Sequence, residues 1–178
     1  SHMEEVLRAM DDLVRAGKVR AIGACNLSGW QTVDADWLAQ EIGTARFVSA
    51  QNEYSLLVRE AEKELIPALR AKGLSLLPFY PLAAGVLTGK YRQGAGMPKG
   101  TRLGLMTHLA NRYFNDETMV IVEALRDFAE ARGRTLLELS FAWLGSRDVI
   151  PSIIAGASRP AQVEANVAAA DWALTPDE

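Results

Sequence analysis

The stretch LSLLPFYPLAAGVLTGKY, residues 74–91, decides the fold class. Its first four residues are apolar except for Ser75, which is typical of a strand buried on both faces of a parallel sheet. Pro78 lacks a backbone N–H and predicts that the strand stops there. The loop that follows combines aromatic side chains with glycines, whose backbone a ligand can approach closely. Such a loop can form the surface on which a planar cofactor binds. It is equally typical of an apolar loop that covers a hydrophobic core.

Similar short apolar segments alternate with helical patterns along the rest of the chain. Besides 74–77, the predicted strands are residues 19–24, 47–51 and 149–154. The predicted helices cover residues 3–16, 28–42, about 60–72, 115–133, a segment opened by the capping box 135–138, and a segment opened by Pro160. Short strands separated by helices predict parallel pairing with right-handed crossovers. The predicted fold class is therefore α/β.

Residues 90–114 interrupt this alternation. They contain Gly94, Gly96, Pro98, Gly100 and Gly104 without a sustained period, and they predict a long surface loop. The segment 94–96 lacks the third glycine of a dinucleotide-binding turn and does not follow a strand. The segment 99–101 has glycine, lysine and hydroxyl in the wrong order for a phosphate-binding loop. Neither nucleotide motif is present.

The amino-acid composition argues against nucleic-acid-binding and membrane-spanning classes of protein. The chain has 178 residues, a net charge of −3 and scattered basic residues, so we expect no nucleic-acid partner. No apolar run reaches the length of a membrane span, and a cytoplasmic location is expected. We expect residues 1–3 to be the remnant of an expression tag and residues 4–178 to form a single domain. Cys25, the one cysteine, is expected to be a small buried thiol, and no metal-ligand cluster is evident.

Four segments at strand ends resemble the aldo-keto reductase family. They are Gly17–Gly23 with Asn26, then Gln51–Tyr54, then Tyr80–Tyr91, and finally Gly156–Pro160 with Gln162 and Asn166. The resemblance covers nearly the whole chain and corresponds to the C-terminal half of the family's barrel. It implies half of a TIM-type (β/α)8 barrel made of four parallel β/α units.

The resemblance also implies a site for NADP(H). Asn26 and Gln51 would bind the nicotinamide carboxamide, and Tyr80 would stack on the nicotinamide ring. The other cofactor-binding residues implied are Leu82, Gly85 and Leu87 at the pyrophosphate, Ser158, Arg159 and Gln162 at the 2′-phosphate, Asn166 at the adenine, and also Gly156. The arginine favours NADP over NAD because its guanidinium is always charged. Ala165 departs from the acidic residue that many members carry before the asparagine.

No catalytic residue can be carried over from the family. Its catalytic tyrosine, lysine, aspartate and histidine lie in the N-terminal half, before the point that matches Met3. His108 is interpreted as a surface histidine because no carboxylate partner is evident. Two hypotheses follow. One is a reductase fragment with weak or no NADPH-dependent reduction of small carbonyl substrates. The other is a structural half barrel that binds no cofactor and functions only when paired with an N-terminal half.

Four parallel strands cannot close into a barrel, so the sequence predicts open edges at residues 19–24 and 149–154. A two-fold axis along the barrel would place the last strand of one chain beside the first strand of its mate. A homodimer is therefore expected. The competing expectation is a monomer in which residues 90–114 fold over the exposed face.

Overall fold

The computed structural model describes residues 2–98 and 100–178. Ser1 of the predicted tag remnant and Lys99 of the rejected phosphate-loop pattern lie outside the described residues. The chain divides into two compact units. Of the described residues, unit 1 comprises 2–53, 59–78 and 149–152, and unit 2 comprises 54–58, 79–98, 100–148 and 153–178.

Unit 1 consists of alternating helices and strands. Phe79, the final residue of its last strand, is assigned to unit 2. In chain order the elements are α1 (His2–Arg15), β1 (Ile22–Cys25), α2 (Gly29–Ile42), β2 (Phe47–Glu53), a 3-10 helix (Glu60–Glu62), α3 (Leu65–Lys72) and β3 (Ser75–Phe79). The strands form one sheet in the order β1-β2-β3. The predicted α/β class with parallel strands is confirmed.

Local capping signals fix the helix ends of unit 1. Gly17 follows α1 with a φ of 66°, a conformation that glycine adopts without the steric cost of a Cβ. Ser28 caps α2 through a capping box with Gln31, and Gly43 ends that helix with a φ of 69°. Pro67 lies in the first turn of α3, where a missing N–H is tolerated, so it marks the start of that helix.

A buried carboxylate ties three segments of unit 1 together. The Asp36 side chain on α2 is 3% exposed. Its Oδ1 lies 2.6 Å from Nε of Arg46, which comes just before β2. Its Oδ2 lies 3.2 Å from Nζ of Lys72, the last residue of α3. Burial raises the pKa of this carboxyl, but the hydrogen bonds and charges of Arg46 and Lys72 outweigh that effect and hold the pKa below its ordinary value.

Unit 2 is mostly helical. Its helices are a 3-10 segment (Ala83–Thr88), α4 (Arg102–Leu105), α5 (Thr107–Tyr113), α6 (Asp116–Glu130), α7 (Leu136–Gly145), α8 (Pro160–Ala168) and a second 3-10 segment (Ala169–Asp171). Asn115 caps α6, and Thr135 and Glu138 form the predicted capping box of α7. The core of this unit is one apolar cluster to which residues 83–91, α5, α6 and α7 all contribute.

The predicted fourth strand is wrong. Residues 149–154 contain no strand, although Leu76 N donates to Val149 O at 2.7 Å beside β3. Pro151 sits in the middle of the segment and has no N–H for a ladder, which explains why pairing does not continue. The sheet therefore has three strands, and the predicted edge at 149–154 is not a strand edge.

The prediction of an irregular surface loop at residues 90–114 is also wrong for residues 102–113, most of which are helical. The segment contains α4 and α5, and the side chains of Leu103, Leu109 and Tyr113 are at most 4% exposed within the core of unit 2. Leu105, at 80% exposed, and Met106, at 43%, remain on the surface. Tertiary burial of a few apolar side chains thus organises a segment whose glycines suggested irregular structure.

Candidate functional site

Asn26 and Gln51 lie next to each other in unit 1, where β1 ends beside β2. Cys25 pairs with Gln51, and the next residue, Asn26, donates its backbone N–H to Gln51 O at 3.1 Å. Asn26 has a φ of 56°, in the left-handed region where asparagine is one of the few tolerated residues. Asn52 Nδ2 donates to Leu27 O at 3.1 Å and braces the same turn. The structure therefore brings the two predicted carboxamide ligands next to each other.

The thiol of Cys25 lies at the same strand end. It is free and exposed, so the expectation of a buried thiol is wrong. In a strand, successive side chains point to opposite faces of the sheet, and the burial of Ile22 and Ala24 leaves Cys25 on the open face.

A strained turn follows β3 and belongs to unit 2. Tyr80, Ala83 and Ala84 have φ angles of 50°, 46° and 55°, and Gly85 has 101°. Left-handed backbone costs a residue with a Cβ about 1–2 kcal/mol, so the surrounding contacts must hold this turn in place. Leu82 O accepts hydrogen bonds from the N–H groups of Gly85 at 2.8 Å and Leu87 at 3.2 Å. Backbone strain concentrated in one turn is common at ligand-binding sites.

The predicted residues of this turn differ in what they can offer a ligand. Tyr80 is half-buried, and its ring contacts Phe79 edge-to-face at 5.4 Å. Leu82 is half-buried. Leu87 is fully buried in the apolar cluster, so any contact it makes with a ligand would use its backbone.

Lys90 belongs to the same turn, and the sequence reasoning assigned it no role. Its Nζ lies 3.4 Å from the position that a Cβ on Gly85 would occupy. Lys90 Nζ also lies 5.3 Å from the centroid of the Tyr91 ring. Backbone turns can form concavities that bind anions, and an ammonium beside such a turn adds positive charge. The sequence places Lys90 five residues after Gly85, and this spacing is the signal that could have pointed to it.

A second candidate segment in unit 2 precedes α8. Gln162 Oε1 accepts hydrogen bonds from Ser158 N at 2.8 Å, Ser158 Oγ at 3.1 Å and Arg159 N at 3.2 Å. The acceptor end of the amide is thereby used, whereas its NH2 group forms no hydrogen bond with any described residue. The guanidinium of Arg159 forms no ion pair within the described part of the chain. These groups are donors, and the set suits an anion.

The surface around this segment is a shallow depression of about 510 Å³. Its lining includes Ser158 and Arg159, and also the carboxylate residue Glu164. Gly156 and Ser158 are exposed, Asn166 is half-buried, and a Cβ at Gly156 would meet no atom within 4 Å. One negative charge therefore lies beside the donors that an anion would use.

Helix α7 links the two candidate segments of unit 2. It packs against the 3-10 segment Ala83–Thr88 and also against α8. Its side chains from Leu139 to Leu144 are buried. A rigid buried helix thus holds both the strained turn and the donor set before α8.

Comparison with known proteins identifies the family of this chain. The profile described as Aldo/keto reductase family matches residues 1–178. The chain belongs to the aldo/keto reductase family. The resemblance predicted from the four segments is therefore confirmed. An eight-stranded (β/α)8 barrel is the fold that this family implies, and the described sheet of this chain has three parallel strands.

Curated relatives align with nearly all of the chain. It is 34% identical to a probable voltage-gated potassium channel subunit beta of Arabidopsis thaliana, over 95% of this chain and 52% of that protein. It is 30% identical to versiconal hemiacetal acetate reductase of Aspergillus parasiticus, over 98% of this chain and 50% of that protein. It is 32% identical to a putative aryl-alcohol dehydrogenase of Saccharomyces cerevisiae, over 99% of this chain and 50% of that protein. The chain spans about half the length of these relatives.

Aldo/keto reductases are oxidoreductases, and the tyrosine and histidine side chains of this chain differ in whether they could donate a proton to a substrate. Tyr54, Tyr91 and Tyr113 are at most 2% exposed and cannot reach a substrate without rearrangement. His108 is exposed on α5, as the sequence predicted. No group of three or more His, Cys, Asp or Glu suited to a metal occurs among the described residues. Among those residues, no helix has both the length and the apolar character needed to cross a membrane.

Proposed function

We propose that this chain is an NADP(H)-binding half barrel of the aldo/keto reductase family, with weak or no reductase activity on its own. The observation that carries the proposal is the donor set before α8. Gln162 uses its oxygen to hold the backbone of Ser158 and Arg159, which leaves its NH2 group and the Arg159 guanidinium available for a phosphate.

The chemistry of these donors favours NADP(H) over NAD(H). The two cofactors differ only in the 2′-phosphate, and a guanidinium can bind a phosphate with two parallel hydrogen bonds. In this proposal Ser158, Arg159 and Gln162 hold the 2′-phosphate, Gly156 allows close approach of the ligand, and Asn166 contacts the adenine.

The remaining contacts with the cofactor are proposed for the turn after β3 and for the residues where β1 ends beside β2. The strained turn offers backbone at Leu82, Gly85 and Leu87, together with the Lys90 ammonium, to the pyrophosphate. Asn26 and Gln51 offer amide groups to the nicotinamide carboxamide, and the half-buried Tyr80 ring offers a stacking surface. The bound cofactor would supply a hydride to the carbonyl carbon of a small aldehyde or ketone. The chain itself would bind and orient the ring.

The alternative is a structural half barrel that binds no cofactor and becomes functional only on pairing with an N-terminal half. The strand β1 favours it, because β2 is its one neighbour within the described sheet and its other edge is open to a further strand. Titration with NADPH and NADH separates the two functions. Saturable binding with a preference for NADPH supports the first, and failure to bind either cofactor at millimolar concentration contradicts it.

We also propose that the open edge of β1 is used for homodimerisation. An unpaired strand edge is a template for pairing with another chain, and a second copy offers the same edge. Light scattering at micromolar concentration tests this assembly. A dimer has twice the chain mass of 19.4 kDa, whereas a constant mass near 19.4 kDa at all concentrations contradicts it.

A further inference from the structure

A buried arginine on α6 contacts the segment that follows the strained turn of unit 2. Arg126 is 4% exposed, although arginine is among the residues least often buried. The buried residues nearest to it along α6 are apolar and include Val122 and Ala129. A guanidinium in such a place is costly unless its N–H groups are paired, so its partners reveal what it holds.

The partners of Arg126 are two backbone carbonyl groups that flank Lys90. Nη1 donates to Gly89 O at 2.9 Å, and Nη2 donates to Tyr91 O at 2.7 Å. Gly89 has a φ of 89°, and a Cβ there would lie 3.7 Å from Arg126 Nη1. One planar fork thus fixes the backbone on both sides of a single residue.

Glu123, one turn before Arg126, completes this anchor. It accepts from Arg126 Nε at 3.0 Å and from the backbone N–H of Gln93 at 3.0 Å. It also lies 3.2 Å from Arg92 Nη1. Two side chains of α6 therefore hold residues 89–93 through backbone and side-chain contacts, and the charge of one compensates the charge of the other.

Holding residues 89 and 91 determines where the side chain of residue 90 begins. Lys90 Nζ lies over the left-handed turn at Gly85, 3.4 Å from the Cβ position of that glycine. We propose that Arg126 is a positioning residue that fixes the Lys90 ammonium against the Gly85 turn, and so shapes the surface that receives the pyrophosphate. This inference rests on the proposed function.

The inference predicts a distinctive pattern of affinities. The pyrophosphate is common to NADPH and NADH, so loss of Arg126 weakens both cofactors by the same factor. Loss of Arg159 weakens NADPH alone. A role of Arg126 in stability alone would leave the affinity of the folded fraction unchanged.

The test compares the parent chain with Arg126→Met, Arg126→Lys and the control Arg132→Met. Arg132 is a matched control because it also donates to one carbonyl, Phe128 O at 3.0 Å, and to one carboxylate, Glu178 Oε1 at 2.8 Å. Hydrogen–deuterium exchange of residues 82–93 is measured without cofactor, and the affinities for NADPH and NADH are measured separately. Exchange in β1 and β2 reports whether the rest of the chain stays folded.

In Arg126→Met, we expect exchange in residues 82–93 to be about tenfold faster while exchange in β1 and β2 is unchanged. Both cofactors should bind about tenfold more weakly, the loss typical of charged hydrogen bonds. Arg126→Lys should give smaller changes, because an ammonium cannot reproduce the fork, and it serves as the test if Arg126→Met does not fold. Arg132→Met should leave both readouts unchanged.

Two results would overturn the inference. One is a parent chain that binds NADPH while Arg126→Met and Arg126→Lys bind it equally well. The other is faster exchange throughout the chain without a local change at residues 82–93. A parent chain that binds neither cofactor contradicts the proposed function, and with it the cofactor part of this inference.

Discussion

Gln162 holds Ser158 by two hydrogen bonds to the same oxygen, one from the backbone N–H at 2.8 Å and one from the hydroxyl at 3.1 Å. The two residues are one helical turn apart, and the bonds close the loop onto the first turn of α8. An amide has one acceptor end and one donor end. Because the acceptor end faces the loop, the donor end is the part of Gln162 that can bind an anion.

Gln162→Glu separates these two roles. A carboxylate still accepts from Ser158 and Arg159, so the loop should keep its structure and the melting temperature should change little. The loss of the NH2 group and the added charge should weaken NADPH by about tenfold or more, with a much smaller effect on NADH. Ala170→Glu, which adds the same charge at an exposed position beyond the far end of α8, should leave both affinities unchanged. Equal weakening of both cofactors would contradict this assignment.

Removing the charge of Glu164 should have the opposite effect on NADPH affinity. Its carboxylate lies in the depression that contains Ser158 and Arg159, where it opposes a phosphate. Glu164→Gln should strengthen NADPH binding by about two- to fivefold at low salt, and the gain should shrink as salt screens the charge. Glu117→Gln on α6 is the control, because Glu117 is exposed and lies outside this depression. An unchanged NADPH affinity of Glu164→Gln at low salt would contradict the proposal that the 2′-phosphate binds in this depression.

The Asp36 cluster makes the stability of unit 1 depend on pH. The pKa of Asp36 is lowered in the folded chain, so its contribution is present above its ordinary value of 3.8 and is lost as the pH falls below that value. Asp36→Asn should lower the free energy of unfolding at pH 7 by about 2 kcal/mol or more, because it leaves Arg46 and Lys72 without their counter-charge.

The matched control for this effect is Asp34→Asn, since Asp34 is exposed on the same helix. Denaturant unfolding at pH 7 and at pH 3 measures both variants. The difference between Asp36→Asn and the parent should be smaller at pH 3. A constant difference at both pH values would show that the ion pairs are not its cause.

Turnover with simple aldehydes should be absent or very weak. Positioned general acid catalysis contributes about 10²- to 10⁴-fold, and under the proposed function this chain lacks the family's proton-donor set. Steady-state oxidation of NADPH with a nitrobenzaldehyde or methylglyoxal measures the rate. A rate comparable to that of complete reductases, unchanged in Tyr80→Phe and Tyr54→Phe, would reveal a proton donor that this account lacks.

Features with a local cause were predictable from sequence. The caps Ser28, Asn115 and Thr135, the left-handed Gly17 and the opening Pro160 are each determined by neighbours within one helical turn, and all of them are present. The adjacency of Asn26 and Gln51 also follows from a simple rule, because the carboxyl ends of neighbouring parallel strands share one edge of the sheet.

Features with a distant cause were not predictable. Arg126 finds its carbonyl partners 35 and 37 positions away in sequence, and no local pattern marks it as buried. The helices α4 and α5 depend on burial of Leu103 and Leu109 in the core of unit 2 rather than on a strong local period. The failed strand at 149–154 had a local signal, Pro151, which the apolar residues around it obscured.

The most direct test of the central claim compares NADPH and NADH binding to the parent chain and to Arg159→Ala by calorimetric titration. The account predicts that the parent prefers NADPH and that the substitution weakens NADPH by about 1.5–3 kcal/mol, the value of a charged hydrogen bond, while NADH changes little. Arg8→Ala, on α1 of unit 1, is the control and should bind as the parent does. Equal loss of affinity for both cofactors, or no binding of NADPH by the parent, would contradict the account.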